Sequence, residues 1–575
     1  MRRIRTRLVP VALACAAVLA LAPGVARATP GPPAIPPLPL PSPLQPARPR
    51  TLGVTPAGTN VEFDVVLRYR ERALDQFVQR VNDPSSPDFH HYATPEELGQ
   101  RFGISDAGLA RVRDWLERSG FSVVESFPQR TSIRVAGPAR AVDAVLGVTL
   151  VDKFDPSLRR TYHQPKGTPR VPAAVADVVE GVSGLDTRPV MRPGVAPQQS
   201  AKPCAQNPAC LPPSKLDRAF DITPLHDRGF LGDGQSVAVI MDGPVSDDDL
   251  RQFDETSGLT GVPPIERITV GSGPDDSESS QPLARDEATM DVETVQGVAP
   301  HTQVLYYYAS LGAFADAVNK VVSDGRAKII TFSAGGCDDG SSSHADDDRA
   351  LRAANAAGVN VFVSSGDHGA YTCLAFNPND FRVVASEPAD SPYVISVGAT
   401  FLEYAEDGSY VDEAAWVEPL DNWATGGGLS PSAARPSWQR GPGVDNSSSN
   451  GKRQVPDVSA PGDPESGWLI VVNGDEQRSG GTSASSPFWA GITSLFGQMA
   501  QQQGLRGLGF LAPTLYSLAA SSSESSLFHD VVRGDNLLQP ATPGWDYATG
   551  LGSPHVAALG DAIVAYLKSN GASTQ

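Results

Sequence analysis

Five short apolar runs recur through the second half of the chain, separated by stretches with helical character. They are SVAVIMDG, TQVLYYYA, AKIITFSAGG, VNVFVSSGD and YVISVGAT, between residues 236 and 400. A strand that is apolar on both faces has to be buried on both, and the intervening helices supply the two covering layers. The pattern therefore predicts an α/β domain with a parallel sheet, whose functional loops leave the carboxyl ends of the strands.

Residues 51–188 have a different pattern. The alternating run VEFDVVLRY is followed by three helical segments and then by FSVVESF, TSIRVAG and TLVDKF, which alternate as antiparallel strands do. Thr94 and Ser105 are placed to cap two of the helices, and Gly120 lies near the end of the last one. These residues are predicted to form a small α+β domain.

Proline-rich stretches set the remaining boundaries. Residues 29–50 form a polyproline-type spacer that cannot build a core, and residues 189–214 form a linker between the two domains. The α/β domain is then assigned to residues 215–575. Since the sequence carries no oligomerisation motif, we expect a monomer.

The first 28 residues are typical of a secretory signal peptide. MRRIRTR is basic, LVPVALACAAVLALAPGVA is apolar, and Ala26-Arg27-Ala28 fits a cleavage site after Ala28. An uncleaved membrane anchor is the alternative, which Pro10 and Pro23 disfavour because they interrupt the apolar run. The sequence predicts a secreted, extracellular protein that has no membrane contact after removal of the signal.

The chain is acidic, with a formal net charge of −19 and a pI near 4.9. This charge argues against nucleic acid or an anionic membrane as a partner. It fits a soluble exported surface, and the alternative is adaptation to an acidic medium, where protonation reduces the repulsion between carboxylates.

Four cysteines remain after removal of the signal, at positions 204, 210, 337 and 373. An even number in an exported chain predicts disulfides. Three connectivities are possible, and proximity favours Cys204–Cys210 and Cys337–Cys373. Metal binding is the alternative, which the lack of a CxxC pair disfavours.

Ser483 is a candidate nucleophile, in the segment RSGGTSASSPFWAG. If a helix begins here, its unpaired amides favour negative charge on the serine or on an oxyanion beside it. A structural Gly/Ser turn is the alternative reading. A reactive serine also needs a base, and none of the six histidines after residue 188 stands in a subtilisin-like motif. His368, in SSGDHGAYTC, is more typical of a loop histidine.

Two carboxylates offer a different base. Glu287 and Asp291 are four residues apart in ARDEATMDVETVQGVAP, so on a helix they share one face. Buried together, they would share a proton, and one could act as a base while the other holds it in place. A solvated helix face is the alternative.

Taken together, these segments resemble the sedolisin family of serine-carboxyl peptidases. GGTSAS resembles the segment that carries the family's nucleophile. EATMD followed by VETVQGVAP resembles the family's Glu-x-x-x-Asp helix, and VFVSSGDHG resembles the segment that carries its oxyanion aspartate. GGGLSPSAARPSWQ, RQVPDVSAPGDP and PGWDYATGLGSP are also similar to family segments. Earlier in the chain, VNDPSSPDFHHYATPEELGQRFG resembles the kumamolisin-type activation propeptide, and the similarity runs from about Val61 to the C-terminal region.

The resemblance implies a subtilisin-like α/β catalytic domain, with a parallel sheet and helices on both faces, after a small α+β ferredoxin-like prodomain. It implies a secreted serine-type peptidase that acts on proteins or peptides in acid. Ser483 would be the nucleophile, Glu287 the general base, Asp291 the residue that orients and tunes the base, and Asp367 an oxyanion donor. The prodomain would block the cleft until the chain cuts itself in the linker.

The resemblance also implies one structural calcium ion near the C-terminus. Its ligands would be the side chains of Asp530 and Asp546 and the carbonyl groups of Val531, Thr542 and Gly544. Oxygen-only ligation suits Ca²⁺. Thr542 stands where the family often has glycine, and a plain Gly-Asp turn is the alternative reading.

Two residues depart from the kumamolisin-like pattern. Met241 stands where those proteins commonly have glutamate, with Asp242 beside it, and Ala334 stands where they often have tryptophan. Both family residues extend the hydrogen-bonded network behind the catalytic glutamate. Both positions differ together, so we expect either a shorter network in this chain or a different branch of the family.

Two other functions remain open. One is a subtilisin-like peptidase with a histidine base, and the other is a noncatalytic exported binding protein on the same scaffold. The presence of all four candidate side chains argues against a degenerate enzyme. Endopeptidases and tripeptidyl-peptidases share this framework, so the sequence leaves the mode of cleavage, the side-chain preference and the maturation site undetermined.

Overall fold

The computed structural model describes residues 49–156, 160–188, 190–194, 210–274, 282–337, 345–521 and 526–573. The predicted signal, most of the spacer, most of the linker and Cys204 lie outside these residues. Residues 45–575 belong to one compact unit. Among the described helices, none combines the length and the apolar character needed to cross a bilayer.

The N-terminal region, residues 49–188, consists of two antiparallel sheets with helices. Its strands are β1 Arg50–Val54, β2 Asn60–Leu67, β3 Ser122–Ser126, β4 Ser132–Pro138, β5 Thr149–Asp155, β6 Arg160–Lys166 and β7 Val179–Ser183. Its helices are α1 Glu71–Val81, α2 Pro95–Phe102, α3 Asp106–Arg118 and α4 Ala139–Leu146. The larger sheet has the order β3-β4-β2-β7, which is the order of a ferredoxin-like βαββαβ unit.

The local sequence signals of this region agree with the structure. Thr94 caps α2 in a capping box with Glu97, and the Ser105 side chain accepts a hydrogen bond from the amide of Gly108 at the start of α3. TLVDKF forms β5, but β5 pairs with β1 and β6 in a second sheet. Sequence alternation identifies a strand without identifying its partner.

The C-terminal region, residues 210–573, is built on a large and mostly parallel sheet. Its strands are β9 Ser236–Met241, β10 Glu266–Thr269, β11 Gln303–Tyr308, β12 Ile329–Phe332, β14 Asn360–Ser364, β16 Ile395–Tyr404, β17 Tyr410–Ala415 and β22 Val458–Pro461. The order is β10-β11-β9-β12-β14-β16-β17, with β22 beside β16, and only β17 is antiparallel among these strands. The five apolar runs are the adjacent strands β11, β9, β12, β14 and β16, which confirms the predicted sheet.

Helices cover this sheet. They are α5 Pro213–Ala219, α6 Thr223–Asp227, α7 Asp247–Ser257, α8 Pro282–Val298, α9 Phe314–Asp324, α10 Ala345–Ala356, α11 Thr482–Gln502, α12 Ala512–Ser521 and α13 Val556–Ser569. Helix α11 is buried from Thr482 to Ala500 and packs against α8 and against β12, β14 and β16. Because nearly the whole helix is buried, its packing against these elements also fixes the position of its first turn.

Smaller strands shape the loops around the sheet. They are β8 Met191–Pro193, β13 Ala334–Cys337, β15 Ser386–Glu387, β18 Val417–Glu418, β19 Trp423–Ala424, β20 Gly428–Ala434, β21 Lys452–Val455, β23 Trp468–Val472, β24 Asp475–Ser479, β25 Phe528–His529 and β26 Ser553–Pro554. Strand β13 lies between β15 and β8, so residues at the start of the linker join a sheet of the C-terminal region.

The two regions are joined by polar contacts on α9 and α10. Arg349 is nearly buried, and its guanidinium donates to Glu71 Oε1 at 2.7 Å and to Glu180 Oε2 at 2.8 Å, both in the N-terminal region. Arg134 pairs across the interface with Asp316. An arginine that is buried against partners of the other region loses them on separation, so these contacts hold the two regions together.

A disulfide joins Cys337 to Cys373, as proximity in the sequence predicts. It ties the end of β13 to the 3₁₀ turn Thr372–Ala375. The other predicted pair includes Cys204, which lies outside the described residues.

Removal of this disulfide should destabilise the protein. The bond closes a loop with a sequence separation of 36 residues, so its loss frees the unfolded chain and costs about 2–4 kcal/mol. We expect a Cys337→Ser/Cys373→Ser variant to unfold at a lower denaturant midpoint than the parent, with both chains also carrying Ser483→Ala. Equal midpoints for this variant and its parent under oxidising conditions would contradict this stabilisation.

Candidate active site

Ser483 lies in the first turn of α11, as its sequence context predicts. Gly481 precedes the helix with a φ of +95°, a backbone conformation that favours glycine. The side chain of Ser483 is fully buried, and its Oγ donates a long hydrogen bond of 3.4 Å to the carbonyl oxygen of Ser333. The serine therefore lies at a helix N-terminus, where amides favour negative charge.

Glu287 and Asp291 both lie on α8 and are completely buried. Helix α8 packs closely on α11, since a Cβ on Gly491 would lie 2.9 Å from Cβ of Val298. Asp291 Oδ1 accepts a hydrogen bond of 2.8 Å from Ser333 Oγ, which also lies 3.2 Å from the carbonyl oxygen of Ser483. Ser333 therefore connects the acid pair to the serine segment.

The environment of Glu287 favours its protonated form. Burial raises the pKa of Glu287 well above its usual value, the charge of Asp291 raises it further, and the Ser483 hydroxyl lowers it as a hydrogen-bonding neighbour. Neither Glu287 oxygen has a well-formed hydrogen bond within the described residues. A catalytic group often lacks well-formed hydrogen bonds before substrate is bound. Burial also raises the pKa of Asp291, the neighbour of Glu287 on the same helix.

Asp367 approaches the serine from the loop after β14. Its Oδ1 accepts hydrogen bonds from the amide nitrogen of Thr482 at 2.8 Å and from Thr482 Oγ1 at 2.7 Å. Its Oδ2 is buried and has no partner within the described residues. Burial raises the pKa of Asp367 to about 7, against the opposing effect of the Thr482 hydrogen bonds. In acid the free oxygen carries a proton that it can donate.

The structure adds side chains to this set that the motifs did not identify. Ser333 follows β12 and holds Asp291, and Thr482 holds Asp367. Asp242 is buried at the end of β9, and its charge also raises the pKa of Glu287. Met241 is part of the apolar core, so it supplies no polar group to a network behind Glu287.

His368 does not complete a serine–histidine pair. Its Nδ1 lies 3.0 Å from the carbonyl oxygen of Asn422, and its ring packs on Trp423. Within the described residues, no histidine is among the hydrogen-bond partners of Ser483. The acid pair is thus the candidate base that the structure brings to the serine.

The predicted calcium ligands gather around one loop near the C-terminus. The amide of Gly544 lies 3.2 Å from each oxygen of Asp530, and the amide of Thr542 lies 2.8 Å from Asp546 Oδ2. Burial raises the pKa of Asp530, and it raises the pKa of Asp546 to about 6. No cationic side chain is among the groups that shift either pKa within the described residues. A buried carboxylate at Asp546 and a half-buried one at Asp530, both hard oxygen donors, fit a divalent cation.

The comparisons with known proteins agree with the fold. Residues 49–188 match the family described as the pro-kumamolisin activation domain, and residues 270–509 match the subtilase family. Sedolisin of Pseudomonas sp. (strain 101) is 32% identical over 90% of this chain and 88% of its own length. Kumamolisin of Bacillus sp. (strain MN-32) is 31% identical over 85% and 89%.

A solved structure gives the same result. Pseudomonas sedolisin, a serine-carboxyl proteinase complexed with two molecules of pseudo-iodotyrostatin, matches with a TM-score of 0.53 and 32% identity, over 63% of this chain and 99% of that chain. The fold, the N-terminal activation domain and these relatives define a subtilisin-like serine-type peptidase that is made as a zymogen. Within that class, the chain belongs to the sedolisin family.

The lack of a side chain at Gly481 should be essential for activity. A Cβ at this position would lie 2.5 Å from Asp367 Oδ2, in the space beside Ser483. We expect Gly481→Ala to reduce peptide hydrolysis by at least about 100-fold, the cost of losing one oxyanion donor.

Gly474→Ala is the matched control for this substitution. Gly474 also has a positive φ, of +79°, but a Cβ there would have only Gln252 Oε1 nearby, at 3.9 Å. Alanine strains the backbone at both positions because φ is positive at each, and only Gly481→Ala also fills the site. Equal activities of the two variants would contradict a steric role for Gly481.

Proposed function

We propose that the chain is an acid-active, secreted serine-carboxyl peptidase in which Ser483 attacks the peptide carbonyl and Glu287 accepts its proton. The observation that carries this proposal is the burial of Ser483 against the Glu287–Asp291 pair, with the free oxygen of Asp367 beside the same serine. In this mechanism Asp291 orients Glu287 and sustains its raised pKa. Protonated Asp367 and the amide of Ser483 donate to the oxyanion that develops on the substrate.

The geometry favours activity in acid. A carboxyl group can donate a hydrogen bond only while it is protonated, and the pKa of Asp367 is raised to about 7. A glutamate base can accept a proton at a pH where imidazole is already protonated. The need for a protonated Asp367 points to an enzyme that loses activity as the pH rises through neutrality, and the glutamate base allows it to work in acid.

We also propose that the activation domain inhibits the catalytic domain until acidification. It is held by Arg349 and by the hydrogen bond of 2.8 Å from Gln129 Nε2 to the carbonyl oxygen of Asn319. Acidification would loosen the carboxylate-based contacts between the two regions and weaken this attachment. Proteins and peptides would be the substrates of the released enzyme.

Substitutions at the serine and at the proposed base should abolish hydrolysis. We expect Ser483→Ala and Glu287→Gln to reduce kcat/KM for a peptide by at least about 10³-fold, because each removes a group that acts in the transition state. Hydrolysis of a fluorogenic peptide in acid measures this.

Ser485→Ala and Glu293→Gln are the matched controls, one on each helix. Ser485 Oγ donates to the carbonyl oxygen of Ala460, and Glu293 Oε2 accepts from the amide of Val471, so both are buried but face other partners. They should keep most of the activity. A Glu287→Gln enzyme as active as Glu293→Gln would contradict the proposed base.

The alkaline limit of activity should depend on residue 367. In the parent enzyme we expect kcat/KM to fall as the pH rises through about 7, when Asp367 loses the proton that it donates. The Asp367→Asn variant keeps an N–H donor at every pH, so its residual activity should not fall in this range. Asp367→Ala lacks the donor and should lose about 10²–10³-fold at all pH values. An unchanged alkaline limit in Asp367→Asn would assign that limit to another group.

We propose a structural calcium ion held by Asp530 and Asp546 and by the carbonyl groups of Val531, Thr542 and Gly544. The ion would neutralise the buried carboxylate of Asp546 and the half-buried carboxylate of Asp530, and it would hold the loop of residues 542–546 against residue 530. It takes no part in the reaction. Its role is to stabilise the loop that packs against Pro442, near the end of the catalytic domain.

Chelation of calcium should lower the thermal unfolding midpoint of the Ser483→Ala protein. At a calcium concentration of about 100 times Kd, bound ion contributes about 2.7 kcal/mol. The effect should be largest above pH 6 and should fade in acid, because protonation of Asp546, whose pKa is about 6 without the ion, competes with the cation. Asp546→Asn should remove the calcium dependence, whereas Asp561→Asn, a surface control, should retain it. A calcium response in Asp546→Asn equal to that of the control would contradict the site.

A further inference from the structure

The start of the linker lies in the candidate active site as an added strand. Strand β8, Met191–Pro193, pairs antiparallel with β13, with Met191 opposite Gly336, Arg192 opposite Gly335 and Pro193 opposite Ala334. Addition of a strand to a sheet edge is a common mode of peptide recognition, because main-chain hydrogen bonds bind any sequence. A Cβ on Gly336 would lie 2.7 Å from the carbonyl oxygen of Val190, so this glycine admits the linker backbone.

Side chains of this strand are also bound. Met191 is almost completely buried. Arg192 Nη1 donates to the carbonyl oxygen of Ala375 at 2.7 Å, and its guanidinium lies 5.0 Å from the centre of the Phe376 ring. The segment therefore has both backbone and side-chain contacts, as a bound peptide does.

Gly194, the next residue, lies at the reacting groups. A Cβ on Gly194 would lie 3.0 Å from Ser483 Oγ and 3.1 Å from Asp367 Oδ2. A Cβ on Gly481 would lie 2.4 Å from the carbonyl oxygen of Gly194 and 2.5 Å from the same Asp367 oxygen. The Gly194 carbonyl group thus shares one small space with the nucleophile and with the free oxygen of Asp367.

We propose that Gly194 supplies the carbonyl group that the chain attacks during its own maturation, so that the first cut falls between Gly194 and Val195. This assignment rests on the function proposed above. Ser483 Oγ bonds to the Gly194 carbonyl carbon while its proton passes to Glu287, and Asp367 donates to the oxygen. The bond to the nitrogen of residue 195 then breaks, and that nitrogen takes the proton from Glu287. Water hydrolyses the ester, which leaves a Gly194 carboxylate and restores Ser483.

The position of residue 194 beside the reacting groups also explains why it is a glycine. A larger side chain would begin within 3.1 Å of two oxygens that take part in the reaction, and the linker would have to move away from them. Arg192 acts as a positioning residue, since its contacts with Ala375 and Phe376 fix the register that brings residue 194 to the serine.

The first cut can be identified directly. Full-length precursor is purified at neutral pH and acidified, and the masses of both fragments are measured at the earliest times, before secondary trimming. We expect one fragment to end at Gly194 and the other to begin at Val195, and Ser483→Ala to remain intact. A protein that hydrolyses an added peptide but first cuts itself elsewhere overturns this assignment alone. A protein without peptidase activity overturns the proposed function as well.

Linker variants provide a second test. Gly194→Val should slow the first cut at least about 10-fold or move it, while the fully converted enzyme should hydrolyse an added peptide at the parental rate, because residue 194 leaves with the propeptide. Arg192→Ala should slow the cut about 10-fold, since a charged hydrogen bond is lost. Arg188→Ala, at an exposed arginine four positions upstream, should mature at the parental rate. Equal rates of the first cut for Arg192→Ala and Arg188→Ala would overturn the proposed register of the linker. A Gly194→Val precursor that makes the same first cut at the parental rate would also overturn it.

Discussion

The burial of three carboxyl groups around Ser483, without a cation to balance them, is the constraint on which the site depends. Glu287, Asp291 and Asp367 are buried, and no arginine or lysine is among the described groups that shift their pKa values. Removal of charge from water is costly unless it is paired or neutralised by a proton. The protein therefore holds protons here. A resident proton lets Asp367 donate a hydrogen bond to an oxyanion, and the raised pKa of Glu287 makes it a stronger base for the serine proton once it is ionised.

The same preference for protons extends beyond the site. Burial raises the pKa of Asp463 and of Glu413 to about 7 and the pKa of Asp346 to about 6. For a carboxyl group whose pKa is higher in the folded state, the folded state binds the proton more tightly, so its contribution to stability is present in acid and is lost as the pH rises through 6 to 7. This sign is opposite to that of a salt-bridged carboxylate. Together with the net charge of −19, these groups favour a fold that is adapted to an acidic medium. The acidic composition alone was also consistent with a soluble exported surface.

The sequence predicted those parts of the structure that depend on local pattern. Apolar runs identified the central strands, small polar residues identified the caps at Thr94 and Ser105, and the spacing of Glu287 and Asp291 placed both on one buried helix face. It did not predict that β5 leaves the larger N-terminal sheet, or that Ser333 holds Asp291. Both depend on tertiary pairing between distant segments. A serine in TFSAGG carries no local signal of the acid that it contacts.

The linker register connects inhibition to chemistry. Above neutral pH, an ionised Asp367 would face the Gly194 carbonyl oxygen and could donate nothing to it, so the bound linker would block the cleft without being cut. In acid, the proton that Asp367 gains would complete the proposed oxyanion site, and the strand contacts of Met191 to Pro193 would hold the carbonyl group in place for attack. The tether keeps the local concentration of this peptide high, which makes it an effective inhibitor before protonation and a favoured substrate afterwards. Under the proposed roles, one titrating carboxyl group therefore controls both the latency of the precursor and the activity of the mature enzyme.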